Sequence, residues 1–582
     1  SWKGKNGMGY VMSQLENLPE HVLVFGTLSK TFGASGSVLV CSNKKLYNQI
    51  KNFGGPLTFS AQLEPSAVGA AIASAAIHLS DEIYSLQDEL KQRIDYFNRL
   101  LSKTKLPLIA TNDSPVFYIG TGLPATGYQL VKRLMDGGFF VNLGLFPAVP
   151  VKNTGVRITI STHNRFEDIK LLTEALVIHY DKALADTGNS TTRVGKAFRM
   201  NFQETPPLPI KHEVLRLEEF TRISEVDKSL WNDTVGKNNM MDWDGLQFLE
   251  NTFQGQAAQE HNWNFKYLQI MDDLNQPVLM GFVTESLWKN DMLSPPAVSK
   301  KLEEQREQNP YAQTSRVLAL GCLFTEGKHL YVNSKHPQVN EALACFLEYL
   351  EALSQKLEVS LTVLRDFDTG SIWSKTFQNQ GYIPIDMPDS CVVFELDQKN
   401  DAAYSNYLSK RSQKHFKKDI QPYEELIKMQ IISAPGTKTI QLFYGLYKQV
   451  KAKNFGLNTF TYPLAVFQNM SKHPNWEFIV LKAKSDDRIL GVMFCYKNYS
   501  GTYVTSLIGM DYSYLEAFQT YRQLLYQSIL RARQLKFTQI DFGVSASFEK
   551  RKLGATLIPK QAFLQTDDNF LLEQLEMMRT SN

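Results

Sequence analysis

The chain has 582 residues and a mass of 66.2 kDa, too long for one hydrophobic core and enough for several domains of roughly 150 residues each. Its 62 basic and 59 acidic residues leave a formal charge of +3, so no global field draws it to nucleic acid or an anionic surface, and any partner must be recognised locally. Single cysteines at 41, 322, 345, 391 and 495 offer neither metal spacing nor a disulfide framework, a usage that fits a reducing, cytoplasmic setting.

In chain order, apolar runs predict strands near 22–26 and 37–41, helices at about 64–80 and 82–103, and an alternating strand-helix-strand pattern through 114–180, which is α/β organisation. The stretch P-S-A-V-G-A-A-I-A-S-A-A-I-H-L-S at 65–80 is shorter than the roughly 20 apolar residues needed to span a bilayer. Its small residues predict a closely packed core helix, and no transmembrane segment or signal peptide is expected. L-A-D-T-G-N-S-T-T-R-V-G-K at 184–196 and Q-E-T-P-P-L-P at 203–209 read as a linker, placing a domain boundary across 184–209. Beyond it, N-E-A-L-A-C-F-L-E-Y-L-E-A-L-S-Q-K-L-E-V-S-L-T-V-L-R-D-F at 340–367 has the layout of F-Q-T-Y-R-Q-L-L-Y-Q-S-I-L-R-A-R-Q-L-K-F-T-Q-I-D-F at 518–542. Each is a helix, a short break, a strand and then Asp-Phe, with Asp366 and Asp541 as matching ends. Two copies predict two related units packed side by side, about 210–398 and 399–575.

Lys30 stands out for its setting. It lies in V-L-V-F-G-T-L-S-K-T-F-G-A-S-G-S-V-L-V at 22–40, an apolar strand, a tight turn ending in lysine, a glycine-rich bend and a second apolar strand. In a partly desolvated pocket the neutral amine is favoured and can form a Schiff base with an aldehyde such as pyridoxal phosphate (PLP). Thr27 and Ser29 offer hydroxyls to a phosphate or phenolic oxygen, and Gly33 and Gly36 allow close backbone approach. A surface lysine in a hairpin is the plain alternative.

Two further segments follow in order: T-F-S-A-Q-L-E-P at 58–65 and V-R-I-T-I-S-T-H at 156–163. Together the three resemble the α-oxoamine synthases, a PLP family of type I aminotransferase fold that includes 8-amino-7-oxononanoate synthase, glycine C-acetyltransferase and serine palmitoyltransferase. The likeness is to the C-terminal half of such an enzyme, over 1–183, with a large-domain remnant at about 1–80 and a small domain at about 105–183. The resemblance implies PLP as cofactor, an amino acid and an acyl-CoA or acyl carrier protein as substrates, and a homodimer. It also implies that Lys30 carries the Schiff base, that Thr27 and Ser29 contact the cofactor, that Ser60 approaches the phosphate of the neighbouring subunit's cofactor, and that Arg157 pairs with the substrate carboxylate. A guanidinium fork suits a carboxylate; on an alternating strand, Arg157 is otherwise a solvent-facing side chain. Ala61 stands where the family usually carries a second hydroxyl. The opening S-W-K-G-K-N-G-M-G-Y resembles the stretch just after the family's D-D-x-H segment. The pyridine-pairing aspartate and ring-stacking histidine are therefore missing, the chain is expected to be N-terminally truncated, and the ring is expected to be a poorer electron sink, leaving this chain inactive alone.

The second repeat contains V-L-K-A-K-S-D-D-R-I-L-G-V-M-F-C-Y at 480–496 and T-Y-V-T-S-L-I-G-M at 502–510, then D-F-G and F-E-K-R-K-L-G-A. It resembles a GNAT-type acyltransferase, more narrowly the tandem, Fem-like group, which implies two GNAT-like α+β units and an acyl-CoA donor. Tyr521, Asp541, Lys550 and Gly554 match recurrent positions of that pattern; the alternatives are a packed tyrosine, a strand-end acid, a solvated lysine and a turn glycine. The helix opening at 510–522 lacks the glycine-rich pyrophosphate loop of ordinary GNAT enzymes. Lys410, Lys414, Lys417 and Lys418, with Arg411 and His415, form a basic helix face; it is either a phosphate-contacting surface or a solvated stripe. Combined, the parts predict a PLP-dependent acyl-CoA:amino acid C-acyltransferase whose aminoketone product is capped by a fused N-acyltransferase, in lipid or sphingoid-like synthesis. The alternatives are an inactive dimerisation scaffold carrying the transferase, or aminoacyl-tRNA as the transferase's donor.

Overall fold

The first apolar runs pair where the sequence placed them: β1 (Leu23–Thr27) and β2 (Ser37–Cys41) form an antiparallel hairpin with Leu23 opposite Cys41 and Thr27 opposite Ser37. The structure is a computed structural model and describes residues 6, 9–15, 17–111, 113–200, 215–397, 403–566, 568, 571 and 574–575. The chain divides into two units, Ser1–Glu204 and Thr205–Asn582.

In the first unit the hairpin loop is closed by the Leu28 N–H donating to Gly36 O and the Gly33 N–H donating to Lys30 O, both at 2.9 Å. Gly36 has φ +97°, and a Cβ there would collide with Leu63, so only glycine suits the bend. A second sheet runs β3 (Val116–Gly122), β5 (Thr154–Thr159), β4 (Asn142–Gly144), all antiparallel. Helices Glu82–Leu101, Pro124–Asp136 and Phe166–Asp186 supply the rest of its core, where Phe97, Phe117, Ile119, Leu130, Val156 and Leu176 are fully buried. Burying each such side chain stabilises by about 1.5–3 kcal/mol.

Two expectations fail in this unit. Helix Pro65–His78, expected to be packed in a core, buries only Ala67 among its residues, while Ile72 is 65% exposed; a helix apolar on all sides needs cover on all sides, and this unit covers only part of it. Of the expected linker at 184–209, residues 203–209 lie outside the described residues, and the stretch 184–196 is folded. Helix Phe166–Asp186 runs through its start, Ser190 Oγ accepts from the Arg193 N–H at 3.2 Å, and helix Thr191–Ala197 buries Val194 completely. Its glycine, asparagine and serine punctuate two helices.

The second unit is built on one sheet of thirteen strands among the described residues. Its strands are β6 (Arg216–Phe220), β7 (Asn264–Met271), β8 (Pro277–Lys289), β9 (Thr314–Leu320), β10 (Leu330–Val332), β11 (Leu361–Asp368), β12 (Ile383–Val393), β13 (Ile427–Ile432), β14 (Trp476–Ala483), β15 (Ile489–Lys497), β16 (Thr502–Met510), β17 (Gln539–Asp541) and β18 (Thr556–Gln565). The internal repeat is visible in the pairing. β6-β7-β8-β9 and β13-β14-β15-β16 are antiparallel runs, and each is followed by one parallel neighbour, β11 beside β9 and β17 beside β16. Helices Val339–Leu357 and Thr520–Gln534 precede those parallel strands, as the repeat predicts. The halves are not merely side by side. β12, from the first half, lies between β17 and β18, and β18, from the second half, lies between β12 and β11, so the closing strands are exchanged and one sheet runs through both halves.

Candidate functional site

In the first unit, Lys30 sits on the hairpin turn and is exposed. Thr27 Oγ1 and Ser29 Oγ lie 2.6 Å apart, both exposed. Gly33, at φ +60°, has open space where a Cβ would be, whereas Gly36 spends its freedom on Leu63. Ser60 ends the short helix Gly55–Phe59 and is exposed. Arg157 lies on β5 with its neighbours Val156 and Ile158 buried and its own side chain out, Nη2 donating to Asn142 Oδ1 at 3.5 Å. Lys30 and Arg157 thus ride on different sheets. The desolvated pocket expected around Lys30 is not formed by this unit, because the hairpin is two-stranded and its flanking apolar side chains, Phe25 at 72% and Phe59 at 91% exposure, face solvent as well.

In the second unit the strand exchange assembles a charged cluster from both halves. Asp541, at the end of β17, accepts from the Gly543 N–H at 2.8 Å and from Asn239 Nδ2 at 3.0 Å. The next N–H, on Val544, donates to Glu326 Oε2 at 2.9 Å; Glu326 lies in the loop between β9 and β10. Gly543 has φ +67°, and a Cβ on it would come within 2.9 Å of Glu326 Oε2. Asp366 near the end of β11, at φ +64°, accepts from Arg365 Nε at 2.9 Å, and Arg365 Nη1 donates to Cys322 O at 2.8 Å. His329 is 1% exposed, with Nε2 on Thr325 Oγ1 at 2.9 Å and Nδ1 3.5 Å from Asp366 Oδ2.

The electrostatics follow from packing. Burial, with Asp541 and Asp366 adding negative charge, pushes Glu326 up to about 7; the residue as a whole is half-buried. Burial also raises Asp366 against the opposing pull of Arg365, and holds His329 well below the usual histidine range, hence neutral.

The sequence-derived positions are placed as follows. Asp541 belongs to this cluster. Lys550 does too, but it is a buried anchor rather than a solvated lysine: Nζ donates to Phe542 O at 2.6 Å, Val544 O at 2.8 Å and Gly543 O at 3.3 Å, and burial lowers its pKa. With its three donors engaged it has no free valence for catalysis. Tyr521 packs against the second-half core, and burial raises its phenol. At Gly554, φ +90°, a Cβ would meet Tyr404 OH at 2.9 Å. Lys410, Arg411, Lys414, Lys417 and Lys418 face solvent on helix Lys410–Asp419, while His415 turns toward Asp419, 2.6 Å away, and Glu549. The sequence reading missed Glu326, Arg365 and His329; the signal available was that C-L-F-T-E-G-K-H at 322–329 follows the last antiparallel strand of the first repeat.

Residues 5–176 match the family model for aminotransferase class I and II. The first unit carries an aminotransferase class I and II region. It is similar to the 8-amino-7-oxononanoate synthase of Marinomonas sp., 26% identical over 173 residues, 30% of this chain and 42% of that protein. The synthase of Klebsiella pneumoniae subsp. pneumoniae is 30% identical over 176 residues, covering 30% and 44%. A solved serine palmitoyltransferase from S. paucimobilis with a bound PLP-myriocin aldimine is 22% identical, covers 31% of this chain and 45% of its own, and has a TM-score of 0.29. The chain spans less than half the length of these curated relatives. Among the described residues no helix is long and apolar enough to cross a membrane, and no group of three His, Cys, Asp or Glu is placed to hold a metal ion.

Proposed function

We propose that the first unit is the lysine-bearing part of a PLP-dependent α-oxoamine synthase, joining an amino acid to the acyl group of an acyl-CoA with release of free CoA and carbon dioxide to give an aminoketone. The second unit, in this reading, is a tandem GNAT, Fem-like N-acyltransferase that caps the product's amine, which suits lipid or sphingoid-like synthesis. The observation that carries the first part is the match of residues 5–176 to the aminotransferase family, with Lys30 on the turn of a strand hairpin beside two hydroxyls.

The donor set fits PLP chemically: an amine for its aldehyde, the Thr27 and Ser29 hydroxyls for its oxygens, and open space at Gly33. PLP, when bound, supplies that aldehyde and an electron-withdrawing ring. Lys30 Nζ must lose its proton to react and is then the base that takes a proton from the substrate's α carbon. Arg157 orients the substrate carboxylate through its two-pronged guanidinium. Residues beyond the hairpin must exclude water from the Lys30 amine; a homodimer is the proposed source, supported by the exposed apolar side chains of 25–79.

The exposure of Lys30 specifically favours a second reading, in which this chain binds no cofactor and the first unit is a scaffold for the transferase. Titrating PLP into the full chain distinguishes the two. The first reading expects a visible absorbance band that Lys30→Ala abolishes; the second expects free PLP only, in both proteins.

A further inference from the structure

Helix Lys410–Asp419 carries five lysines and arginines against one aspartate in ten residues, and it turns them outward. Phe416 anchors it in the second-half core at 4% exposure, while Lys410, Arg411, Lys414, Lys417 and Lys418 are all exposed. None of the five is in an ion pair among the described residues. The acids facing the helix are engaged elsewhere. Asp419 lies 2.6 Å from His415 Nδ1, and Glu549, on helix Ser547–Lys552, lies 2.7 Å from Arg522 Nε and 3.4 Å from Lys552 Nζ. Glu425, the next exposed acid along the chain, comes after the helix has ended. A surface built only for solubility intersperses both signs of charge; this helix presents one.

Aromatic rings stand exposed on two elements packed against this helix. Tyr407, in the turn Tyr404–Tyr407, is 41% exposed, and Gln413 Nε2 ties that turn to the helix by donating to Leu408 O at 2.9 Å. Phe548, on helix Ser547–Lys552, is 55% exposed, with Lys552 Nζ 4.1 Å from its ring centroid. His415 Nε2, 3.7 Å from Glu549 Oε2, sets the two helices alongside each other. Lone exposed rings need no explanation, but rings beside an unpaired basic face form the pattern of interfacial binding, in which cations meet anionic headgroups and rings enter the headgroup boundary. A nucleic-acid duplex would use the cations and leave Phe548 in water. We propose that this face docks on a bilayer containing anionic phospholipids, with the five cations on headgroup phosphates and Phe548 and Tyr407 at the boundary beneath them. The contact is with the membrane surface, since no helix among the described residues is long and apolar enough to cross it. The inference goes beyond the proposed chemistry of either unit, and its test uses neither PLP nor an acyl donor, so the two can fail separately.

The test is co-sedimentation of the full chain with vesicles of phosphatidylcholine, alone or mixed with phosphatidylglycerol, at low and at high salt. The chain is expected to bind the anionic vesicles at least about tenfold more tightly than the neutral ones, with the difference lost at high salt. Each basic residue at an anionic surface contributes about fivefold, so Lys410→Glu/Arg411→Glu/Lys414→Glu is expected to weaken binding by about a hundredfold or more. Glutamates in the first turn suit the positive end of a helix, so this variant is expected to keep the unmutated urea midpoint, measured alongside. Phe548→Ser is expected to weaken binding several-fold with its salt dependence intact. Equal binding of the unmutated chain to both kinds of vesicle, or a folded charge variant that binds anionic vesicles as the unmutated chain does, would overturn the proposal. So would displacement of the vesicles by bulk transfer RNA together with unchanged affinity in Phe548→Ser, which would assign the face to nucleic acid.

Discussion

In the first unit every residue proposed to touch cofactor or substrate faces solvent, whereas in the second unit Asp366, Lys550 and His329 are each at most 4% exposed. The difference lies in what stands behind each group. Lys30 is carried by a two-stranded hairpin and is exposed. Glu326 and Asp541 lie where exchanged strands bring two halves of a thirteen-stranded sheet together over extensive aromatic cores. A shifted titration requires desolvation, and desolvation requires layers. The first unit leaves its candidate groups in solvent, and the second unit buries Asp366, Lys550 and His329 within itself.

The contrast can be broken at its foundations first. Trp476 is fully buried and touches Phe248, Phe324 and Tyr496 rings at centroid distances of 5.5, 6.4 and 5.4 Å. Trp476→Ala should cost about 3–5 kcal/mol, read as a lower urea midpoint for the second unit, while a transition confined to the first unit stays put. Lys550→Met removes the Nζ donor shared by the Phe542, Gly543 and Val544 carbonyls, of which Gly543 O also accepts from the Cys391 N–H, and should cost about 2–3 kcal/mol. A negligible change there would mean that the loop carrying Asp541 is held by something other than Lys550.

Glu326 sharpens the comparison through pH. Its folded-state value of about 7 lies above the ordinary 4.5, so the folded protein binds that proton more tightly than the unfolded chain. The group's contribution to stability is complete below the ordinary value and is lost as pH rises through about 7, by roughly 3 kcal/mol. Glu326→Gln should flatten this slope and, near pH 8, be more stable than the unmutated chain, as measured by chemical denaturation across that window. The smallest effect is expected on the basic stripe, where Lys414→Ala on an exposed helix face should change stability by less than about 0.5 kcal/mol.

How much of this was readable in the sequence differs between the units for physical reasons. The hairpin around Lys30 and the β5 alternation of Val156, Arg157 and Ile158 are local patterns, and they folded as local patterns do. The repeat ending in Asp366 and Asp541 was legible because helix, break and strand recur within a short window. The exchange of β12 and β18 was not, since it pairs residues such as Ile383 and Leu564 whose partnership has no local signature. Glu326 was invisible for the same reason: its neighbours Gly543 and Val544 come from the other half, and a lone glutamate in a loop reads as solvent-exposed. Capping residues at 187–190 were mistaken for a linker because caps and linkers draw on the same amino acids.

The reactivity of Lys30 remains the central claim, and reduction of the full chain with borohydride in the presence of PLP, followed by peptide mapping, tests it most directly. The account predicts a stable pyridoxyl label on the peptide containing Lys30. A label on another lysine, or on none, would contradict it.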